Sequence, residues 1–218
     1  MPRRDGIDVS KWQGTIDWAQ VRASGITWSA CRTWDRDLRQ VDATFAANRQ
    51  GQAFCRHRLL YYWLEPGRAL VGVDEFFLAV GQLQPGEGVM LDAEQDGITE
   101  GECLQWLEQV EAQTGLPCAV YTGGYVAGGT IWHSALIFDG RRPRVFAAYT
   151  DEAAARGHAD GIPWDAWQFS ATGRVPGIAA NCDEDQVDNP GAFDRVCLQA
   201  GSGQKSPIVR SGHAVRMP

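Results

Sequence analysis

Val89-Met90-Leu91-Asp92-Ala93-Glu94 is an apolar run that ends in two carboxylates. Side chains alternate faces along a strand, so Asp92 and Glu94 point the same way, with Cα atoms ~6.6–6.8 Å apart. Two acids on one face repel and crowd each other, which separates their proton affinities. One can then stay protonated as a general acid while its neighbour stays ionised. A surface Asp-x-Glu in a loop is the competing reading of the tripeptide alone. Its position after a buried strand, and its company elsewhere in the chain, argue against that.

Outward from this segment, short apolar runs alternate with segments of helical period. Strands are expected at Ile7-Asp8-Val9, Ile26 to Arg32, Leu59 to Trp63, Val89 to Glu94, Cys118 to Tyr121, Val145 to Tyr149, Trp164 to Phe169 and Asn181 to Val187. Between them, Ile16 to Arg22, Val41 to Arg49 and Leu70 to Leu83 carry apolar residues at three- and four-residue steps, with Gly25, Gly51 and Pro85-Gly86 as stops. Thr99 and Glu102 have capping-box spacing ahead of the stripe Leu104, Leu107, Val110, and Gly115 ends that helix. Strand–helix alternation requires parallel strands with crossover helices, an α/β class. About eight strands in 218 residues fit a single-domain TIM-like (β/α) barrel better than an open sheet, and no glycine-rich dinucleotide fingerprint follows the first strand. The domain is expected over residues 1–197, with a flexible Gly-, Ser- and Pro-containing tail at 198–218 whose charges are all basic.

A hydrophobic content of 44% with 22% charge is ordinary for a globular protein, and no apolar run is long enough to span a membrane. The net charge of -7 argues against nucleic acid or anionic membranes as partners. The start, Met1 to Gly6, leaves no room for a signal peptide before the first strand. Cys31, Cys55, Cys103, Cys118, Cys182 and Cys197 show no C-x-x-C pairs, which is poor metal spacing. Reduced thiols without a metal or other cofactor are expected, with a Cys182–Cys197 bridge as the competing arrangement. His57, His133, His158 and His213 read as bystanders, and the pairs Gly123-Gly124 and Gly128-Gly129 as turns.

Barrel enzymes collect their chemistry at the C-terminal ends of the strands. That edge is expected to hold Asp8, Tyr62, Asp92, Glu94, Tyr121, Tyr149, Trp167, Gln168 and Asp183. Carboxylates supply acid–base chemistry, and aromatic faces stack on the C–H faces of sugar rings while their polar tips meet hydroxyls. Acids ringed by aromatics therefore point to a carbohydrate chain. Trp12, Trp18 and Trp28 read as core residues. A structural role competes for Asp8, bonding the backbone of Ser10 or Trp12, and loop fixing competes for Asp183.

The stretch Gly6-Ile7-Asp8-Val9-Ser10-x-Trp12-Gln13-Gly14-x-Ile16-Asp17-Trp18 resembles the opening of the glycoside hydrolase family 25 lysozymes, N-acetylmuramidases frequent among phage endolysins. Val41-Asp42-x-Thr44-Phe45-x-x-Asn48 resembles their second-helix signature, and Leu91-Asp92-x-Glu94 their catalytic strand. Trp167-Gln168-Phe169-Ser170, Val175-Pro176-Gly177-Ile178 and Asn181-x-Asp183 are similar to their closing strands. The resemblance spans about residues 5 to 195. It implies a flattened barrel, with peptidoglycan glycan strands in a groove over its C-terminal face. It also implies a monomer without stable membrane insertion, made in a host cytoplasm and released to the wall.

Carried over by position, Asp8, Asp92, Glu94 and Asp183 match the family's acidic site residues, Glu94 in the place of the proton donor. Tyr62, Tyr121 and Tyr149 fall where the family uses groove aromatics. Departures from the family pattern lie at Arg32-Thr33-Trp34-Asp35, at Tyr62-Trp63 and at Phe146-Ala147-Ala148-Tyr149. A non-catalytic glycan-binding barrel would keep the aromatics without needing the Asp-x-Glu pair. A chitin-degrading barrel would use paired acids as well. An amidase or peptidase acting on the same wall predicts a metal site or a Cys/His pair.

Overall fold

The computed structural model describes residues 2–123 and 131–199. The glycine pair Gly128-Gly129, residue Gly124 and the tail beyond Gln199 lie outside the described residues. Eight strands close a barrel: β1 (Gly6–Val9), β2 (Trp28–Arg32), β5 (His57–Trp63), β6 (Glu87–Asp92), β7 (Ala119–Gly123), β8 (Arg144–Ala147), β9 (Ala166–Gly173) and β10 (Cys182–Val187), which returns to β1. A two-stranded hairpin, β3 (Trp34–Asp35) with β4 (Gln40–Val41), stands outside it. Helices α1 (Trp18–Ala23), α2 (Phe45–Gly51), α3 (Ala69–Val80), α4 (Glu100–Thr114), α5 (Glu152–His158) and α6 (Pro190–Asp194) occupy the connections. The expected single-domain α/β barrel of eight strands is what forms. No helix among the described residues is long and apolar enough to cross a membrane.

One strand departs from the all-parallel expectation. β10 runs antiparallel to both β1 and β9, while the other barrel neighbours pair in parallel. The connection from β9 to β10, residues 174–181, holds no helix and is too short for a crossover, so the chain simply turns back. The consequence matters for the site. Asp183 sits near the start of β10, opposite Asp8, and only the reversed direction brings the start of a strand to the rim where the parallel strands end.

Period-two alternation then sorts every strand into two sets. Trp28, Ala30, Leu59, Tyr61, Met90, Ala119, Tyr121, Val145, Ala147, Ala166 and Val187 form one buried cluster, the barrel interior, joined from below by Phe193, Val196 and Cys197. Their neighbours Cys31, Leu60, Tyr62, Val89, Leu91 and Val120 belong to a second cluster with Phe76, Trp106, Leu107 and Val110 of the helices. Burial on both faces explains why these strands read as continuous apolar runs. α3 lies so close to β5 that a Cβ on Gly72 would stand 2.8 Å from the Tyr62 ring.

The helix termini follow local chemistry. Thr99 accepts from the Glu102 N–H while Glu102 accepts from Thr99 N–H at 3.0 Å, the capping box anticipated for α4, and Gly115 closes the helix in the left-handed conformation (φ 71°). Asp42 lies just ahead of α2 and organises the loops around it. Its carboxylate accepts from the Thr44 N–H at 2.9 Å, the Lys11 N–H at 3.1 Å and Arg32 Nε at 2.8 Å, tying the loop after β1 to the end of β2. All six cysteines are buried and free, so the Cys182–Cys197 bridge does not form. At the opposite end from the site, Leu198 bonds the backbone on both sides of β6's first residue, through Glu87 O and Gly86 N.

Candidate active site

The interior-facing positions at the upper end of the barrel converge on one open pocket. It is lined by Asp8, Arg32, Tyr61, Trp63, Met90, Asp92, Tyr121, Gln168 and Asp183 from the strands, and by Ser10, Trp12, Gln13, Glu94 and Tyr149 from the loops above them. All four acids singled out in the sequence therefore meet here, together with Tyr121, Tyr149 and Gln168.

Gln168 is the hub of the polar network. Its Oε1 accepts from the hydroxyls of Tyr121 (2.8 Å) and Tyr149 (2.7 Å), which orients its Nε2 to donate to Asp8 Oδ2 at 2.5 Å. Asp8 is thus held by a side chain of β9 rather than by the backbone of Ser10 or Trp12. Ser10 instead caps the turn Lys11–Gln13, its N–H donating to Gln13 Oε1 at 2.8 Å.

Burial dominates the electrostatics of the acids. Desolvation, with the neighbouring carboxylates, pushes Asp8 and Asp92 well above the ordinary carboxylate range. Glu94 is pushed up to about 7 by desolvation, with the Asp183 charge adding to it, while a hydrogen bond with Tyr121 and the charge of Arg36 pull it back. Asp183 is raised by desolvation to about 6, its hydrogen bond with Asp8 acting the other way. Asp92 is buried, and its Oδ1 has no partner. A carboxyl group kept protonated to neutral pH beside others that can ionise is what general acid chemistry requires.

Two residues expected in the groove are elsewhere. Tyr62 points outward: its ring stacks on Trp106 at 5.7 Å, and its hydroxyl donates to Glu75 at 2.5 Å beneath α3. Trp167 is fully buried on the outer face of β9, beside Trp164 and Phe169, with its Nε1 donating to Ala148 O at 2.9 Å. Both err by one residue along a strand, which reverses the face. The residues of correct parity are Tyr61 and Trp63 in β5, and Gln168 in β9.

Trp12 corrects a further expectation. It is not core but 67% exposed at the pocket mouth, with Lys11 Nζ 4.9 Å from its ring centroid. Trp28 is buried in the barrel interior and Trp18 packs edge-on against Phe54. Tyr149, 59% exposed, presents a second open aromatic face. Exposed rings at the mouth of an acid-lined pocket have the form of sugar platforms. The signal for Trp12 was available: it lies past the end of β1, where a side chain has left the strand's packing.

Comparison with known proteins bears on the fold and the family. Residues 7–178 match the family model for glycosyl hydrolases family 25. The chain is 30% identical over 190 residues to the uncharacterized protein YegX of Escherichia coli O157:H7, covering 82% of this chain and 67% of that protein. It is 23% identical over 210 residues to Lysozyme M1 of Streptomyces globisporus, covering 86% and 68% respectively. Among solved structures, a family 25 glycosyl hydrolase from Bacillus anthracis superposes with a TM-score of 0.73 at 14% identity, over 90% of this chain and 94% of that one. With the family's barrel, its acid-lined pocket and a sequence match over most of its length, this chain is a glycoside hydrolase that belongs to family 25.

Proposed function

We propose that the chain is a lysozyme of the N-acetylmuramidase type, hydrolysing the β-1,4 bond between N-acetylmuramic acid and N-acetylglucosamine in bacterial peptidoglycan. The observation that carries this reading is the half-buried Glu94 carboxyl, raised to about 7, in one pocket with Asp92, Asp8 and Asp183. Family membership and the likeness to Lysozyme M1 support the substrate class.

Glu94 holds the proton that goes to the leaving glycosidic oxygen, a transfer worth ~10²–10⁴-fold in rate. Desolvation and the Glu94 charge hold the proton on Asp92, while the Glu94 backbone N–H that it accepts and the charges of Arg36 and Arg32 favour its ionised form. Its unpartnered Oδ1 suits the N–H of a substrate acetamido group. Gripping that N–H turns the acetamido oxygen into the nucleophile at the anomeric carbon, the substrate-assisted variant of glycoside hydrolysis. Asp8 and Asp183, opposite each other in register, hold the far side of the ring and the incoming water. Trp12 and Tyr149 stack on neighbouring sugars.

Glu94→Gln is expected to abolish release of reducing ends from purified walls while leaving the circular dichroism native. Retained activity overturns the acid assignment. Mass spectrometry of the products identifies the bond: reducing muramyl ends support the proposal, and reducing glucosaminyl ends refute it.

A further inference from the structure

The cations around the pocket differ in how their charge is met. Lys11 Nζ lies 2.5 Å from buried Asp35, Arg32 Nη2 lies 2.7 Å from buried Asp42, and Arg39 pairs with Glu65. Arg36, on the turn of the β3–β4 hairpin, is held differently. Its Nη1 donates to Gln95 Oε1 at 2.5 Å and its guanidinium lies 4.2 Å from the centroid of the Trp63 ring. Trp63 Nε1 donates to the same Gln95 oxygen at 3.3 Å, so ring, amide and guanidinium fix one another. Both partners are neutral. Among the described residues, the one carboxylate within 4 Å of Arg36 is Asp37, 3.8 Å from Nε and 61% exposed to solvent. A charge in that position is screened by water.

The placement is specific. Trp63 lines the pocket, and Gln95 directly follows Glu94. The Arg36 charge is felt by both Asp92 and Glu94. The hairpin that delivers it is pinned on both sides of its turn, by Lys11–Asp35 at the end of β3 and by Arg39–Glu65 just before β4. Two departures from the family pattern border Arg36, at Arg32-Thr33-Trp34-Asp35 just before it and at Tyr62-Trp63 beneath it. A guanidinium lying over an indole, with Nη1 held by Gln95, still has Nη2 and Nε hydrogens to offer, and with a third of its side chain exposed they are open to a carboxylate. Neutral sugar hydroxyls need no such group. An anionic substituent would otherwise meet a pocket wall of four acids, and so requires a local counter-charge.

Resting on the muramidase reading, we propose that Arg36 is a specificity-determining residue that receives a carboxylate carried on the lactyl arm of the muramyl sugar. The carboxylate has two sources, the free lactyl group of a peptide-free strand or an acid group of the attached stem peptide. Gln95 and Trp63 are the positioning residues that aim the fork.

The test compares kcat and KM of the wild type, Arg36→Gln and Arg36→Lys on three substrates: peptide-free glycan strands, the same strands with their lactyl carboxylates converted to methylamides, and peptide-bearing strands. Circular dichroism verifies that each variant is folded. The wild type is expected to prefer a carboxylate-bearing strand over the methylamide strand about tenfold, through KM and at low salt. Arg36→Gln is expected to bring that ratio to within about twofold of unity, and Arg36→Lys to restore part of it. Preference for peptide-free strands assigns the lactyl group, and preference for peptide-bearing strands alone assigns the stem peptide; either supports the proposal. An equal loss on all three substrates, or a preference that survives in Arg36→Gln, overturns it. A folded wild type that cleaves none of the three refutes the muramidase reading itself, a result distinct from an unchanged preference.

Discussion

A carboxyl raised to about 7, as burial raises Glu94, gives the site a pH signature in both activity and stability. For activity, Glu94 acts in its protonated form in the mechanism proposed above, so kcat/KM is expected to fall about tenfold per pH unit above roughly 7. For stability, the folded Glu94 binds its proton more tightly than the unfolded chain does, near 4.5, and Asp183 behaves alike between 3.8 and about 6. Where the folded state holds more protons, stability falls as pH rises. The contribution is complete below about 4 and is lost by about 7. Asp35, Asp194 and Glu102 are lowered, by Lys11 for the first, His57 and Arg56 for the second, and Thr99 for the third. Their contribution has the opposite sign and fades only in more acidic solution, below their ordinary values. A melting temperature higher at pH 5 than at pH 8 is therefore expected. Glu94→Gln should raise stability at pH 8 by ~1–3 kcal/mol, because an amide has no charge to desolvate. Calorimetric scans of both proteins across this range check it; a wild type more stable at pH 8 than at pH 5 contradicts the burial argument.

Elements decide which residues meet, and here the sequence was legible to an uneven degree. Strand–helix alternation, the α4 capping box and the acids at strand ends all follow from local chemistry, and local chemistry survives folding. The parity of β5 did not. His57–Trp63 is apolar on both faces, so no polar alternation marks which tyrosine points inward, and the choice between Tyr61 and Tyr62 depends on the register with β6. The β3–β4 hairpin escaped notice because two-residue strands carry too little periodicity to register. The reversal of β10 showed only indirectly, in an Asp183 that a parallel strand would have buried at the wrong end. Where local chemistry does operate it can be measured. Thr99→Ala removes the acceptor for the Glu102 N–H and loosens Glu102, which also accepts from the Gly67 N–H in the loop before α3. A loss of about 1 kcal/mol in urea unfolding is expected, and an unchanged midpoint would show that α4 is held by Trp106, Leu107 and Val110 alone.

At the scale of the whole molecule, the barrel has a working end and a sealed end. The upper rim trades stability for chemistry: four acids share a pocket there, and further into the barrel interior Asp185 is buried with neither carboxylate oxygen partnered. The lower end offsets that with apolar closure. Phe193, Val196 and Cys197 fill the barrel mouth against Trp28 and Leu59, Gly88 leaves room for the chain as it passes (a Cβ there would stand 2.6 Å from Val196 O), and Leu198 adds backbone bonds to the start of β6. The plug is contributed by residues after the last barrel strand, so closure of the whole structure depends on a few positions remote from the chemistry. A chain ended after Arg195 loses Val196 and Cys197, both nearly inaccessible to solvent, and opens a void where they packed. Deletions of buried side chains of this size cost ~2–4 kcal/mol, which for a domain of this length is about 5–12 °C. Comparison with a chain ended after Gln199 isolates the plug, because the two differ only in residues 196–199. Equal melting temperatures for the pair would mean that the barrel is closed by its strand pairing, with the plug dispensable.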